Sequence, residues 1–494
     1  MKKIFFIITL GTLFTAGCTK LDEGIYDRQV ASEFYATPEG INAALADLYS
    51  EIRGKDWFIG YAGTDRGWYD LNEVSTDEMM IPTRSTGDWD DGGIWRQIYL
   101  HQWTPGHPFI EGTWNWLYRG VFKTNLAVDL LTNAKADPSK IAEAKVYRAF
   151  LYFLLVDGWG NVPFYTQNTL TVDQIPQQER SKTYKWILEE LTANVPLLVA
   201  DKGGQYYGRF NRWAGYALLA KVYLNGKVYG GTETDPLDGT KTNWDRAIQY
   251  SDSIIQKGGF SLHPNYLSIF GDTNPGDESI MSIFIDANTA PRNIIGIRSL
   301  RAEQGSAEFG FSTWGGSTCH QDFYNKYEAG DIRRNQWILG AQPGGITYVK
   351  EISSLTSAGP YEGARNIKYK PVAPYNGNAA SNDFVIYRYA DVLLTKAECL
   401  VRKGQPAAAK TLMDELRTRA GLSAWPSNPT LDDVLDERGR ELCWEGFRRQ
   451  DQIRFGKFLA TRDFKPASPA HVEVFPIPTS ALNTNRKLIQ NTGY

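Results

Sequence analysis

The sequence predicts a mostly α-helical protein, with helix pairs forming one body that carries long loops and little strand. Three observations lead there. Apolar residues recur at spacings of three and four through several segments. Some of these segments come as neighbouring pairs, with small residues where the two helices would touch. Between them lie long stretches rich in Gly, Asn, Pro and Trp, about 56–115, 259–384 and 457–494. Loops of that length in a compact protein usually carry function or a partner contact.

In chain order, the first clear helix is "IAEAKVYRAFLYFLLVDGWG". Ala142, Val146, Ala149, Phe153 and Val156 fall on one face, and Gly158 predicts its C-terminal stop. Leu151, Leu154 and Leu155 widen the apolar surface, so this helix is expected to be buried on more than one side. "YALLAKVYLNGK" and "NWDRAIQYSDSIIQKG" form a pair interrupted by "VYGGTETDPLDGTKT". Ala220, Tyr223, Gly226, Ala247 and Tyr250 keep the order of small and aromatic residues found in tetratricopeptide repeats. "ESIMSIFI" reads as a short strand. A second pair, "YRYADVLLTKAECLVRKG" and "QPAAAKTLMDELRTRAG", places Ala390, Leu393, Ala397 and Leu400 against Ala409, Leu412 and Leu416. Gly404 ends the first of these helices, and Pro406 suits the first turn of the second. Last comes "DERGRELCWEGFRRQDQIRFG", with Glu437, Glu441 and Glu445 on one helical face. Asp436–Arg440 and Glu445–Arg449 are its expected i, i+4 ion pairs.

The start of the chain has another purpose. In "MKKIFFIITLGTLFTAGCTKLDEG", two lysines precede a short apolar run and small residues, the layout of a secretory signal peptide. Cys18 follows the small triplet directly and resembles the lipidated cysteine of bacterial lipoproteins, with Thr15 standing where an aliphatic residue is usual. Residues 1–17 are therefore expected to be a lipoprotein signal peptide. Residues 18–494 form the mature domain, with Cys18 as the lipid attachment site. Net charge is −3 with no basic cluster, which gives no field for nucleic acid. Cys319, Cys399 and Cys443 are too few and scattered for a disulfide framework, and Cys399 and Cys443 fall in apolar helical patterns.

Signals for an enzyme are thin. His101, His107, His263, His320 and His471 show no i, i+4 pair and no HExxH context, and there is no P-loop or nucleophile elbow. No metal or cofactor is expected. A glycosidase needs two carboxyl groups about 5–10 Å apart, one of them with a raised pKa. Arginines around Glu437, Glu441 and Glu445 would lower theirs instead, so that helix reads as salt-bridged and structural. Loop carboxylates Asp65, Asp70, Glu73, Asp77 and Glu78 are the better place for such a pair, which keeps a lipid-anchored glycoside hydrolase as the alternative reading.

Several motifs together resemble the SusD/RagB family of surface nutrient-binding lipoproteins. They are "CTKLDE", "DWDDGGIWRQIYLHQWTP", "WNWLYRGVFKTN", "AEAKVYRAFLYFLLVDGWGNVPF", "YRYADVLLTKAE", "ERGRELCWEGFRRQDQIRFG" and the terminal "IQNTGY", in the family's order. The resemblance implies four tetratricopeptide-like helix pairs under a loop-rich ligand face, and no catalysis. It also implies a lipid anchor in the outer membrane facing the cell exterior, a SusC-like TonB-dependent transporter as partner, and a glycan as ligand, with peptide cargo left open. Asp22 and Glu23 just after Cys18 fit export to the cell face.

Fifteen Trp, 27 Tyr and 23 Phe are more than a core of this size obviously needs. Sugars present flat C–H faces that pack on aromatic rings, and Trp offers the largest rigid one. The family often builds its platform from two loops, one in each half of the chain. The ligand residues expected here are Trp68, Tyr69, Arg84 and Trp89 from the first loop and Phe309 and Trp314 from the second. Trp95, Trp103, Trp114 and Trp116 are expected to be structural.

Overall fold

The computed structural model describes residues 34–494 apart from 36, 55–58, 273, 275, 286–292 and 374–379. The signal peptide, Cys18, Asp22 and Glu23 lie outside the described residues. The main helices are α1 (Pro38–Arg53), α2 (Trp68–Glu73), α3 (Ile94–Tyr99), α4 (Pro108–Asn133), α5 (Pro138–Trp159), α6 (Arg180–Asn194), α7 (Arg212–Leu224) and α8 (Asn243–Lys257). After strand β1 (Ser279–Ile283) come α9 (Ala302–Phe309), strand β2 (Phe384–Arg388), α10 (Tyr389–Arg402), α11 (Pro406–Arg419), α12 (Leu431–Leu442) and α13 (Arg448–Arg454). No described helix is long and apolar enough to cross a membrane.

Local chemistry sets where these helices start. Proline opens α4 and α5, where its missing N–H costs nothing, and the His107 and Asp137 side chains accept the next free N–H groups. Thr242 with Asp245, and Thr430 with Asp433, form reciprocal capping boxes at α8 and α12. Pro406 opens α11, as expected. α5 runs past Gly158 to Trp159 and stops at Gly160, whose φ is +72°. Gly158 stays helical because the Trp68 ring and Phe475 press on its bare face; a Cβ there would sit 3.3 Å from the indole.

The helices pack pairwise in tetratricopeptide fashion: α5 with α6, α7 with α8, α10 with α11, and α1 with α4. α4 also flanks α5, which is therefore enclosed almost all round from Val146 to Trp159. α8 passes the stack on to α10. The insertion between α7 and α8 holds a short helix (Gly226–Gly230) and a two-stranded hairpin (Thr234–Asp235 with Asp238–Thr242). β1 and β2 pair antiparallel, with Phe384 opposite Ile283. A main core runs through most of the stack, with a small second cluster of Ala397, Leu400, Ala409, Met413 and Val434 between α10, α11 and α12; Trp95, Trp103, Trp114 and Trp116 belong to the main core, at most 4% exposed. Cys319, Cys399 and Cys443 are buried free thiols.

The C-terminal acidic segment departs from its expected shape. α12 ends at Leu442, and Glu445 lies in the turn beyond it, where Trp444 (φ +60°) and Gly446 (φ +84°) reverse the chain into α13. The expected partners change accordingly: Arg440 pairs with Glu437, Asp436 with Lys326, and Arg449 with Asp157. Glu441 is the hub of a fully buried network. It accepts from Arg388 at 2.6 Å, from Arg333 at 2.9 Å and from Arg419, while Arg388 also holds Glu278 and Glu445. Burial alone would raise the Glu441 pKa, but Arg419, Arg388 and Arg333 outweigh it and hold the carboxyl well below its usual range.

Candidate functional site

Two loops that are distant in sequence meet above α3 and α9. The first, residues 84–93, is a run of tight turns: Gly87, Gly92 and Gly93 have positive φ, as do Trp89 (φ +63°) and Asp91 (φ +42°). A left-handed backbone is unfavourable for a bulky side chain, by roughly 1–3 kcal/mol, and persists only where the surroundings impose it. At Trp89 they do. Its Nε1 donates to the Trp314 carbonyl at 3.0 Å, and its ring lies against Gly316, where any Cβ would collide with the indole. The edge of Trp95 supports the ring from below, centroids 5.7 Å apart. Trp89 and Trp314 are both half-buried, so each keeps an open surface. Phe309, at the end of α9, is also half-buried and sits 5.9 Å from Phe311.

Charged groups rim these rings. Arg301 lies between Asp88 (3.6 Å) and Glu303 (3.5 Å) and over the Tyr361 ring, while the Tyr361 hydroxyl donates to Glu303. On the other side Arg96 holds Asp90 at 2.7 Å, and Arg66 holds Asp91 at 3.2 Å. Rings next to fixed carboxylates and guanidinium groups can stack a flat ligand and bind its hydroxyls.

Three expected contact residues have no open face. Trp68 and Tyr69 are 2% and 1% exposed, at the start of α2, where Trp68 packs on α5 and Tyr69 on Phe384. Arg84, 1% exposed, points inward and donates to the carbonyls of Gly316 (3.1 Å), Gly359 (3.2 Å) and Glu362 (3.0 Å). It clamps three loop segments from beneath the platform. Of the six expected residues, the surface position therefore falls to Trp89, Trp314 and Phe309. Asp88, Arg301, Glu303 and Tyr361 were missed by sequence reasoning; a charged residue in an aperiodic loop gives no sign of which aromatic ring it will flank.

The loop carboxylates are spoken for. Asp65 and Asp70 bind the buried Arg298, and Asp77 binds Arg448. Glu73 and Glu78 lie together in the core, facing the N–H groups of Gly446 and Trp444. Burial, partly offset by Arg448 and the Trp444 N–H, pushes Glu78 up to about 7; burial and Glu78 itself hold Glu73 well above the carboxylate range. A carboxyl raised in the folded state takes up a proton on folding. Its stabilising contribution is complete below the unfolded value of ~4.3 and drains away as pH rises to about 7. Glu78→Gln mimics the protonated form. Its stability relative to the parent, from urea midpoints, should rise by on the order of 2–3 kcal/mol between pH 4.5 and 8. A difference that stays flat with pH would refute the raised Glu78 carboxyl.

Among the described residues, His320, Asp322 and Asp463 are the set whose donor atoms come close enough to hold a metal ion. The His320 Nδ1 accepts the Asp322 N–H, so its proton sits on Nε2, the atom facing Asp463 at 3.4 Å. That tautomer suits a histidine–carboxylate contact better than a metal ligand. A groove of about 360 Å³ lies away from the two loops, between Trp114 and Tyr118 of α4 and the segments that carry Tyr165 and Leu488. Extended ligands bind open faces as well as grooves, and the polar groups gather around Trp89 and Trp314.

The chain is similar to several known proteins. A family model described as the SusD family matches residues 312–467, and one described as starch-binding, associating with outer membrane, matches residues 68–224. Together they take in the first loop, Trp314 of the second and more than half of the chain. A SusD-like protein of Bacteroides ovatus is 26% identical over 93% of this chain and 83% of its own length. The starch-binding protein SusD of Bacteroides thetaiotaomicron is 24% identical over 90% of this chain and 88% of its own. Among solved structures, surface glycan-binding protein A from Bacteroides thetaiotaomicron in complex with laminarihexaose superposes with a TM-score of 0.73 at 22% identity, covering 92% of this chain and 99% of that one. A SusD homolog from the same organism gives 0.75 at 20% identity, covering 94% and 98%. At such identities the structural likeness establishes the fold.

Proposed function

The chain belongs to the SusD family, and from that premise we propose that it is a lipid-anchored, glycan-binding protein of the outer membrane that delivers its ligand to a SusC-like TonB-dependent transporter. The observation that carries this reading is the Trp89–Trp314 pair, held half-open across two loops by a strained backbone and a buried arginine clamp. Relatives whose names specify starch or glycan binding support the ligand class. The alternative, a glycoside hydrolase, would need an acid and a base reachable by substrate. Asp65, Asp70, Glu73 and Glu78 are buried and face arginine or backbone N–H groups, and Asp77 is held by Arg448. Calorimetry of the purified protein against a panel of neutral polysaccharides should find binding to at least one, with no new reducing ends after overnight incubation. New reducing ends would favour the hydrolase, and binding confined to peptides would replace the glycan.

The anchor has its own test. Cys18→Ala should abolish incorporation of a palmitate analogue and release the protein from the membrane fraction while the fold survives, because Cys18 stands upstream of every helix described above. Label persisting on the variant would rule out Cys18 as the acylated residue. If the acidic pair Asp22 and Glu23 directs export, protease applied to intact cells will remove the protein.

A further inference from the structure

A second pocket, of about 310 Å³, opens far along the sequence from the two loops, between α6, α7, α8, α10 and α13. Four cationic side chains line it, Arg180, Lys227, Arg402 and Arg454, against a single carboxylate, Glu473. Glu398, Asp451 and Glu233, outside the lining, offset part of this charge. Not all of the cations are neutralised in place. Arg454 is: it donates to Glu398, Asp451 and Asn225. Lys227 is tied to the exposed Glu233. Arg180 forms no ion pair among the described residues; its Nε donates to the Val156 carbonyl at 3.1 Å and its guanidinium lies over the Tyr229 ring. Arg402 uses Nε on Glu398 and stacks on Phe455 and Trp244, while its Nη2 is buried and donates to no protein atom. Leaving a buried guanidinium donor unsatisfied costs free energy that a bound acceptor would recover. Trp244, half-buried, lines the same wall.

We infer that this pocket binds an oxyanion-bearing sugar, a uronate or a sulfate ester, with Arg180 and Arg402 donating to the anion and the Trp244 indole packing on the sugar ring. Planar guanidinium groups match the paired oxygens of carboxylate and sulfate, and a ring beside them selects a saccharide over a free ion. The Glu473 carboxylate is left to accept hydroxyl hydrogens. The sugar part of this assignment rests on the glycan-binding reading above; the anion part does not.

The probes are trigalacturonic acid, a sulfated galactan tetrasaccharide, neutral laminarihexaose and inorganic sulfate, titrated calorimetrically at 20 and 200 mM NaCl. The expected result is binding of at least one acidic oligosaccharide that weakens at the higher salt. Arg180→Gln and Trp244→Ala should each weaken it tenfold or more, and Arg402→Lys, which keeps the charge but loses Nη2, should weaken it too. Arg180→Gln should leave unchanged the binding of whichever neutral polysaccharide the two loops take, which separates failure at this pocket from failure at the two loops. An unchanged melting temperature in Arg180→Gln, whose side chain holds a single carbonyl, keeps the test independent of folding. The assignment is overturned if no acidic oligosaccharide binds, if inorganic sulfate alone binds, or if the pocket variants bind normally.

Discussion

Replacing Glu441 by alanine is expected to destabilise the fold by on the order of 3–5 kcal/mol, the usual cost of removing one partner from a buried ionic network. The carboxylate receives three guanidinium groups, from Arg333, Arg388 and Arg419, none more than 4% exposed. Without it, Arg388 keeps Glu278 and Glu445, Arg333 keeps Asp331 and Glu437, and Arg419 keeps only Glu278 at 3.3 Å, so three guanidinium groups each lose a buried charged acceptor. Urea unfolding followed by tryptophan fluorescence measures the loss. Glu441→Gln, which keeps one oxygen acceptor, replaces the other with an NH2 donor and removes the charge, should recover only part of it. A Glu441→Ala protein within about 1 kcal/mol of the parent would mean that the network is neutral to stability, as some buried ion pairs are when replaced as a whole. Glycan affinity of the folded fraction should be unchanged, because this network lies under α10–α12 and not under the two loops.

The second large effect falls on binding. Trp89→Ala and Trp314→Ala should each weaken glycan affinity at least tenfold, taking stacking on nucleic-acid bases, ~1–3 kcal/mol per ring, as the guide. The variants should differ in stability. Trp89 sits at φ +63°, a strain that alanine's Cβ retains, and the variant gives up one hydrogen bond to Trp314 and the edge contact of a half-exposed ring with Trp95, so its melting temperature should move little. Trp314 contributes its carbonyl to Trp89, which any residue supplies, so Trp314→Ala should stay equally folded. Normal affinity in both variants would place the ligand elsewhere, with the groove at Trp114, Tyr118 and Tyr165 next in line. Lost affinity together with a lower melting temperature would make the rings struts for the loops.

Most of the helical body was legible in the sequence, because pairing leaves a local trace. Ala397 and Ala409 are small since α10 and α11 approach closely there, and that constraint appears in a short window. The turn after α12 was not read, although "CWEGF" holds its signal: Gly446 has φ +84°, and a glycine inside an otherwise helical pattern can end it. The candidate site was legible in part. Trp in polar, Gly-rich surroundings pointed to the two loops that meet at Trp89 and Trp314, but Trp68, Tyr69 and Arg84 were expected at the surface and are beneath it. Loops have no period, so nothing local tells an inward residue from an outward one; their burial is decided by α5 and by carbonyls more than 230 residues away. The pocket at Arg180 and Arg402 left no local trace at all, since its walls come from helices of both halves of the chain.

The Arg84 clamp and the Trp89–Trp314 hydrogen bond join positions 225 to 278 residues apart. Contacts of that range form only after the intervening chain has closed on itself, at an entropic cost that local helices do not meet. The helix pairs can therefore assemble while the recognition face is still absent, and a chain truncated before residue 314 lacks every carbonyl that Arg84 and Trp89 hold. Binding competence then arrives with the last step of folding. The stoichiometry of a glycan titration should thus count the completely folded molecules in a preparation, including those that helix content alone cannot tell apart.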